Sequence, residues 1–308
     1  MAKVIIGIHG LANKPSKPLQ AQWWVDSIKE GLQKNCNLNL DFIFVDVYWA
    51  DLLYEKPLHQ NSALSLDSLY DDEPYRPAED GALKKYDEGF MDALRAGSQS
   101  FLGGAVDAVK STLGMDQAAD FVLQQKLKDL AFYYDSGKRI KDRSSNLRVA
   151  REVLQEDLEK ALVSSKAHEI MLIAHSMGSI IAYDVLRKLG RREPDPGVRV
   201  SHFVTIGSPL GLPHVKLNIE KINTHDPRVR TPTIVTKSWI NFADRKDPVA
   251  FDTHLNDDYG PNSASVAVKD DLMLNDYEIN GKANHHKLFG YLRAPEVSEH
   301  IRDFLNGQ

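Results

Sequence analysis

Residues 173–179 place Ser176 in the pattern of a nucleophile elbow, the sharp turn that links a strand to a helix. Ala174 and Gly178 lie two residues before and two residues after the serine, and small residues there let strand and helix pack closely around a strained turn. The usual pattern begins with glycine, where this chain has alanine. A serine on such a turn can attack an acyl carbon, so the motif predicts nucleophilic catalysis by Ser176. The alternative is an ordinary serine on a tight turn.

A serine nucleophile needs a base, and the base needs an acid that orients it. Three aspartates follow a predicted strand at residues 238–242 and are candidates for the acid. We prefer Asp247, because Pro248 after it has no backbone N–H and a fixed φ that helps to hold the turn. Asp244, nearer the end of the strand, is the first alternative and Asp252 is the second. An aspartate before proline is also a common turn former.

The base must accept a proton and return it, which suits a side chain that titrates near neutral pH. Two adjacent histidines, His285 and His286, lie between the last predicted strands and the closing helix. We choose His286 as the base and keep His285 as the alternative, because no physical feature of the sequence separates them. If the segment is extended, only one of the two can face Ser176.

The oxyanion of a tetrahedral intermediate needs hydrogen-bond donors that are already in place. The backbone N–H of Met177, next to the serine, is one candidate for this oxyanion hole. The other is the N–H of Leu11, in the turn after the first predicted strand, where Gly10 lets the backbone turn. We expect His9 to shape this loop rather than to react, and Asn13 could add a side-chain contact.

The elements that must position these residues follow from the spacing of apolar side chains. Strand patterns alternate with helix patterns, which predicts an α/β fold with a mostly parallel, doubly wound sheet and a site at the carboxyl ends of its strands. Gly190 is expected to cap the helix after the elbow. The predicted strands are residues 3–8, 41–48, 169–174, 202–206 and 238–242, with edge strands or loop at 266–268 and near Tyr277, and the predicted helices are residues 22–32, 147–163, 180–189 and 295–305.

One long segment interrupts this alternation. No strand of the sheet is predicted between residues 51 and 145, residues 64–81 read as an acidic loop with prolines, and residues 86–134 read as helical. An apolar stripe runs from Phe101 to Leu113 at helical spacing. We therefore expect residues 52–146 to form a helical cap or lid within a single domain that spans residues 1–308. The stripe could pack as core, line or gate an acyl pocket, or touch lipid.

Bulk composition limits the functions that remain. The chain has 308 residues, of which 42% are hydrophobic and 26% charged, and a formal net charge of −5, typical of a globular protein and not of one that binds nucleic acid. No run of about 20 apolar residues could span a bilayer, and no signal-peptide pattern is found. Cys36 is the single cysteine, so an intrachain disulfide is excluded and a structural zinc site is not expected. We expect a cytoplasmic protein.

Five segments together resemble the α/β-hydrolase superfamily: the elbow at residues 175–179, the His9-Gly10 turn, residues 205–210, Asp247-Pro248-Val249 and the late His286. Within that superfamily the chain is similar to bacterial lipase- or esterase-like members related to the GPI inositol-deacylase type. The resemblance skips the insertion. It implies the chain order serine, acid, histidine, and hydrolysis of carboxylic esters through an acyl-enzyme without a cofactor.

The expected substrate is a small-molecule or lipid-like acyl ester, and contact with a membrane surface is a lesser expectation. The oligomeric state is left open. Two other functions fit the same residues. An acyltransferase or thioesterase would use the same serine, acid and histidine with a different acyl group or acceptor. A silent hydrolase fold used for binding would need no reaction at all, although all three residue types are present in the expected order.

Overall fold

The structure is a computed structural model that describes residues 2–58, 75–79, 81, 83–87, 130–222, 229–250, 252–279 and 281–307. In these ranges the strands are β1 (Lys3–Ile8), β2 (Ile43–Val47), β3 (Arg139–Lys141), β4 (Leu147–Val149), β5 (Glu169–His175), β6 (Val200–Ile206), β7 (Val235–Ala243), β8 (Val268–Leu272), β9 (Glu278–Ile279) and β10 (Lys282–Ala283). The helices are α1 (Lys17–Cys36), α2 (Ala150–Ser164), α3 (Met177–Leu189), α4 (Pro213–Ile222), α5 (Leu288–Arg293) and α6 (Pro295–Asn306).

Six strands form the main sheet, in the order β2-β1-β5-β6-β7-β8, and every neighbouring pair is parallel. From β1 the chain first adds β2 on one side and later adds β5 on the other. The order therefore reverses between β1 and β5, and the loops after these two strands diverge and leave a crevice at their carboxyl ends. The α/β prediction is confirmed, and the architecture is consistent with the α/β-hydrolase fold.

The central strands β1 and β5 are apolar on both faces because helices cover both faces. Successive residues of β1 illustrate this: Ile6 packs with Leu158 of α2 and Ile181 of α3, whereas Ile5 packs with Ile28 of α1 and Ile301 of α6. Helix α5 lies on the same face as α1 and α6, while α4 lies with α2 and α3. The sheet is thus held rigidly from both sides, which fixes the positions of the loops at its carboxyl edge.

Several boundaries differ from the predicted ones. Helix α1 is longer than residues 22–32 and ends where Asn37 turns left-handed, with φ at 50°. The helix predicted at residues 147–163 begins only at Ala150, because Leu147–Val149 pair with Arg139–Lys141 in a small antiparallel sheet outside the main one. The prediction of no strand before residue 145 therefore holds for the main sheet and is wrong for β3. Strand β8 runs through Leu272, well beyond residues 266–268.

Gly190 is the C-cap of α3, as predicted, but it lacks the left-handed backbone conformation that usually favours glycine at this position. Gly190 does end α3, but its φ is −68°, a right-handed value that any residue adopts. Space is also limited there, because a Cβ would lie 2.3 Å from Thr233 Oγ1 and this side chain would have to move. The glycine lets the end of α3 approach the segment that leads into β7.

Most of the expected cap lies outside the described residues, including residues 59–74, residues 88–129 and the stripe from Phe101 to Leu113. Residues 75–79 are described and contact the body. Glu30 of α1 accepts hydrogen bonds from the Tyr75 hydroxyl and the Ala78 N–H, and Arg293 donates to the Arg76 carbonyl. In the described part of the chain, no helix is both long and apolar enough to cross a membrane.

Candidate active site

Ser176 lies at the turn between β5 and α3 and is fully buried. Its φ of 53° and ψ of −130° are strained for a residue with a side chain. Gly178 makes this turn feasible, because a Cβ there would lie 2.6 Å from the carbonyl oxygen of His9 and 2.7 Å from that of Ile8. The elbow expected from the sequence is therefore present, with α3 pressed against the end of β1.

His286 lies between Ser176 and Asp247. Its Nε2 is 3.0 Å from Ser176 Oγ, and its Nδ1 is 2.8 Å from Asp247 Oδ2. An ionised carboxylate can only accept, so Nδ1 carries the proton and the Nε2 lone pair faces the serine hydroxyl. The structure brings the three preferred residues together in the geometry that a nucleophile, a base and an orienting acid require.

The carboxylate of Asp247 is buried but well supplied with donors. Burial alone would raise the pKa of Asp247, but the charge and hydrogen bond of His286, together with further hydrogen bonds, hold it below its ordinary value. Oδ1 accepts the N–H groups of Val249 at 2.8 Å and Ala250 at 3.4 Å. Oδ2 accepts the Tyr291 hydroxyl at 2.7 Å in addition to His286. Asp247 therefore stays ionised at neutral pH.

The alternative acid and base form a pair of their own. His285 Nδ1 lies 3.2 Å from Asp244 Oδ2, and its other contact is the carbonyl of Asn275. Asp244 also accepts the N–H groups of Asn275 and Lys246, so its carboxylate braces the loop. The contacts of these two residues do not include Ser176.

Asp252, the remaining alternative, lies elsewhere. Its Oδ1 accepts the N–H of His254 at 3.1 Å, and its side chain packs so closely on Gly211 that a Cβ there would lie 2.5 Å from Asp252 Cβ. The structure does not bring Asp252 to Ser176 or His286. Its role in the described residues is that of a local turn former.

The His9-Gly10-Leu11 turn lies beside the serine. A Cβ on Gly10 would lie 2.6 Å from Ser176 Cβ and 3.1 Å from Ser176 Oγ, so only glycine fits. Leu11 follows directly, and Met177 is the first residue of α3, where a backbone N–H has no partner within the helix. The Leu11 N–H follows Gly10, which lies against Ser176, and the Met177 N–H follows Ser176 itself. Both positions suit an oxyanion hole.

Asn13 points away from this site. Its side-chain amide donates to the Lys56 carbonyl at 2.9 Å, and its Oδ1 accepts the Lys14 N–H. The side-chain contact considered for Asn13 is therefore taken up by the loop itself. Its hydrogen bonds stabilise the turn that follows β1.

His9 is fully buried and shapes the turn, as predicted. Its Nε2 accepts the Trp49 N–H at 3.0 Å, so the ring proton is on Nδ1, which donates to the Gly10 carbonyl at 2.6 Å. The ring also stacks on the Trp49 indole at a centroid distance of 4.7 Å. Burial, with a contribution from Lys14, lowers the pKa of His9 well below 6.5, so the ring stays neutral. Because the Gly10 carbonyl is held, the orientation of the same peptide's Leu11 N–H is fixed too.

Sequence reasoning did not assign roles to His175, Gly207 or Tyr291. His175 Nε2 donates to the His286 carbonyl at 2.9 Å, and its ring lies 4.8 Å from the His286 ring. Gly207 has φ at 53°, and a Cβ on it would lie 2.9 Å from Asp247 Oδ2. His175 precedes the serine and Tyr291 follows His286 by five residues, but no motif marks either position.

Metal ligation is a separate question. Within the described ranges, no group of three or more His, Cys, Asp or Glu side chains is arranged to hold a metal ion. The histidines and carboxylates of this site are paired with one another instead.

Comparison with known proteins adds little to this geometry. No protein-family model matches the chain, and no curated protein matches it. A similar solved structure is a crystal structure from Agrobacterium vitis S4 described as a candidate hydrolase. It shares 15% identity with a TM-score of 0.32, and the match covers 50% of this chain and 68% of the other. Similarity this low supports no argument about function, so the function must be argued from the geometry of the site.

Proposed function

We propose that the protein is a serine hydrolase that cleaves carboxylic esters through an acyl-enzyme on Ser176. The observation that carries the proposal is the position of one imidazole. His286 lies 3.0 Å from the serine hydroxyl through Nε2 and 2.8 Å from the carboxylate of Asp247 through Nδ1. A strained, buried serine on an elbow has no structural need for such a chain of hydrogen bonds, whereas nucleophilic catalysis does.

The reaction follows from these contacts. His286 Nε2 takes the proton of Ser176 as Oγ attacks the acyl carbon, and the oxyanion accepts the N–H groups of Leu11 and Met177. The imidazolium, stabilised by Asp247, then protonates the leaving alcohol and the acyl-enzyme remains. Water, deprotonated by the same imidazole, then attacks the acyl carbon. The bond between this carbon and Ser176 Oγ breaks, His286 returns the proton to Oγ, and the carboxylic acid leaves. No cofactor takes part in these steps.

The experiment is hydrolysis of p-nitrophenyl esters of increasing acyl length by the wild type and by Ser176→Ala. We expect turnover by the wild type and a loss of at least about 10⁴-fold in the variant, because removal of a nucleophile leaves only binding and the oxyanion hole. Ser298→Ala is the matched control, since Ser298 is also buried but bonds to the Ala294 carbonyl on α6. It should keep wild-type turnover.

A fluorophosphonate probe provides a second reading of the same proposal. It should add one adduct to the wild type, located by mass spectrometry on the peptide that contains Ser176, and none to Ser176→Ala. Retained turnover in Ser176→Ala would overturn the proposal. So would a wild type that neither hydrolyses any ester nor reacts with the probe.

A further inference from the structure

The hydroxyl of Tyr291 contacts the carboxylate that orients the base. Tyr291 lies on α5, five residues after His286, and is fully buried. We infer that Tyr291 is a positioning residue that holds the Asp247 carboxylate against His286 and shares its negative charge. The inference rests on the proposed function, because it concerns the same serine, histidine and aspartate.

The direction of each hydrogen bond is fixed by chemistry. The Asp244 N–H lies 3.1 Å from the Tyr291 oxygen and can only donate. The phenolic oxygen therefore accepts there, and its single proton goes to Asp247 Oδ2 at 2.7 Å. Tyr291 thus connects the two ends of the loop that carries both aspartates.

The Tyr291 hydroxyl contacts the same carboxylate oxygen that contacts the base, His286. Asp247 Oδ2 accepts both the Tyr291 hydroxyl and His286 Nδ1–H. A Cβ on Gly207 would lie 2.9 Å from Asp247 Oδ2, 3.2 Å from His286 Nδ1 and 3.2 Å from Tyr291 Cε2. The three groups meet at one point, where only a glycine leaves room for them. A change at the Tyr291 hydroxyl therefore acts directly on the Asp247 carboxylate and is not compensated by solvent.

Tyr291 remains a donor over the working range of pH. Burial raises the pKa of Tyr291 well above its ordinary value, and the negative charge of Asp247 raises it further. The titratable groups that face this point are His286, Asp247, His175 (whose ring lies 6.3 Å from that of Tyr291) and Asp244, whose backbone N–H donates to the phenol. The other three groups do not compete for the phenolic proton, since Asp247 already accepts it.

Removal of the hydroxyl has a defined consequence. Without it, Oδ2 loses one of its two charge-neutralising donors, so more negative charge faces His286 and the imidazolium is favoured. We expect Tyr291→Phe to move the acidic limb of the kcat/KM profile about half a pH unit higher, since nearby charge shifts titration in this way. The plateau should fall about tenfold, because the carboxylate loses a contact that orients it.

The chain offers a matched control in Tyr183. It is buried on α3, its hydroxyl donates to the Arg230 carbonyl at 2.6 Å, and it accepts the Arg230 N–H at 3.2 Å. Tyr183→Phe therefore removes a hydroxyl that also donates one and accepts one hydrogen bond, but both of its partners are backbone atoms of Arg230 rather than a carboxylate. We expect it to lower Tm and to leave the pH profile unchanged.

Two measurements keep the inference testable whatever the activity. The first is an NMR titration of the His286 imidazole, assigned by its absence in His286→Gln, which needs no turnover. Tyr291→Phe should raise the midpoint of this resonance and Tyr183→Phe should not. The second is replacement of Tyr291 by 3-fluorotyrosine, a stronger donor of nearly the same shape, which should move the midpoint in the opposite direction and covers the case in which Tyr291→Phe fails to fold.

The outcomes separate the two proposals. An unchanged His286 midpoint in both Tyr291 variants, with turnover intact, would overturn the role of Tyr291 and leave the serine hydrolase standing. A wild type without ester turnover or probe labelling would overturn the hydrolase. The imidazole titration would then still decide whether Tyr291 acts on the Asp247–His286 pair.

Discussion

Two adjacent histidines each pair with a buried aspartate from one loop, yet their surroundings differ. His286 bonds Asp247 at 2.8 Å and has its second nitrogen 3.0 Å from Ser176. His285 lies 3.2 Å from Asp244 and uses the same Nδ1 for the carbonyl of Asn275. Residue type and pairing are the same, so they cannot define function by themselves. The difference lies at the far nitrogen, because Nε2 of His286 lies 3.0 Å from Ser176, the proposed nucleophile.

The sharpest way to break this comparison is to remove each imidazole. His286→Gln should lower kcat/KM by about 10⁴-fold, because the serine loses its base. His285→Gln should change it no more than about threefold, since its contacts brace the loop and do not reach Ser176. The measurement is ester hydrolysis, with probe labelling of Ser176 as a check. Comparable losses in both variants would show that the pairs are not distinct.

Removal of the charges should sharpen the same contrast. Asp247→Asn should lower kcat by about 10³- to 10⁴-fold, because an amide at this position favours the wrong tautomer of His286. Asp244→Asn should instead reduce stability by about 1–3 kcal/mol, since the amide keeps only one oxygen and either the Asn275 N–H or the Lys246 N–H loses its acceptor. Ester kinetics and thermal unfolding on the same two preparations test this. The contrast is lost if Asp244→Asn lowers kcat as much as Asp247→Asn does.

The smallest effect is expected at a third histidine, His9, which has no acid partner. This effect is on the pH dependence of stability. Burial, and to a lesser extent Lys14, lowers the pKa of His9 well below 6.5. Below pH 6.5 the unfolded chain therefore binds a proton at His9 that the folded protein does not bind. The stability contributed by neutral His9 is therefore complete above pH 6.5 and is lost as the pH falls below it, at up to about 1.4 kcal/mol per pH unit.

His9→Gln should flatten this slope of unfolding free energy, measured by urea denaturation between pH 7 and pH 5. His300→Gln is the control, because burial also lowers the pKa of His300, in its case to about 4, and His300 lies on α6 away from the serine. It should flatten the slope without lowering turnover, whereas His9→Gln should lower turnover too. An unchanged slope in His9→Gln would show that His9 is not held neutral.

Much of the scaffold could be predicted because local signals and burial agree. Residues 170–174 are apolar, lie between two helices and form most of a central strand, and Pro295 starts the closing helix as expected. Strand β8 was predicted poorly because it contains Lys269, Asp270 and Asp271. Asp270 is placed there by tertiary contacts, since it accepts the Asn241 amide and the N–H groups of two loop residues.

The candidate site shows the same division. Ser176 stands in a motif that local geometry requires, so its place at the turn could be read from the sequence. The choice between His285 and His286 could not, because it depends on which way one loop turns after β10. Tyr291 could not be found either, since a phenol at this spacing has no signature until Asp247 is placed beside it. The sequence alone can identify a residue that stands in a local motif. Contacts that distant parts of the chain make with that residue become visible only in the fold.

The separation along the chain between the serine and its imidazole also has a consequence in time. Ser176 and His286 are 110 residues apart; Ser176 follows β5 of the main sheet, whereas His286 follows β10 of a separate two-stranded sheet. At a synthesis rate of about 5–20 residues per second, the elbow emerges roughly 5–20 s before its partner. During that interval the nascent chain carries a serine without a base. Until His286 has been made, the polypeptide therefore lacks the group that we propose activates Ser176.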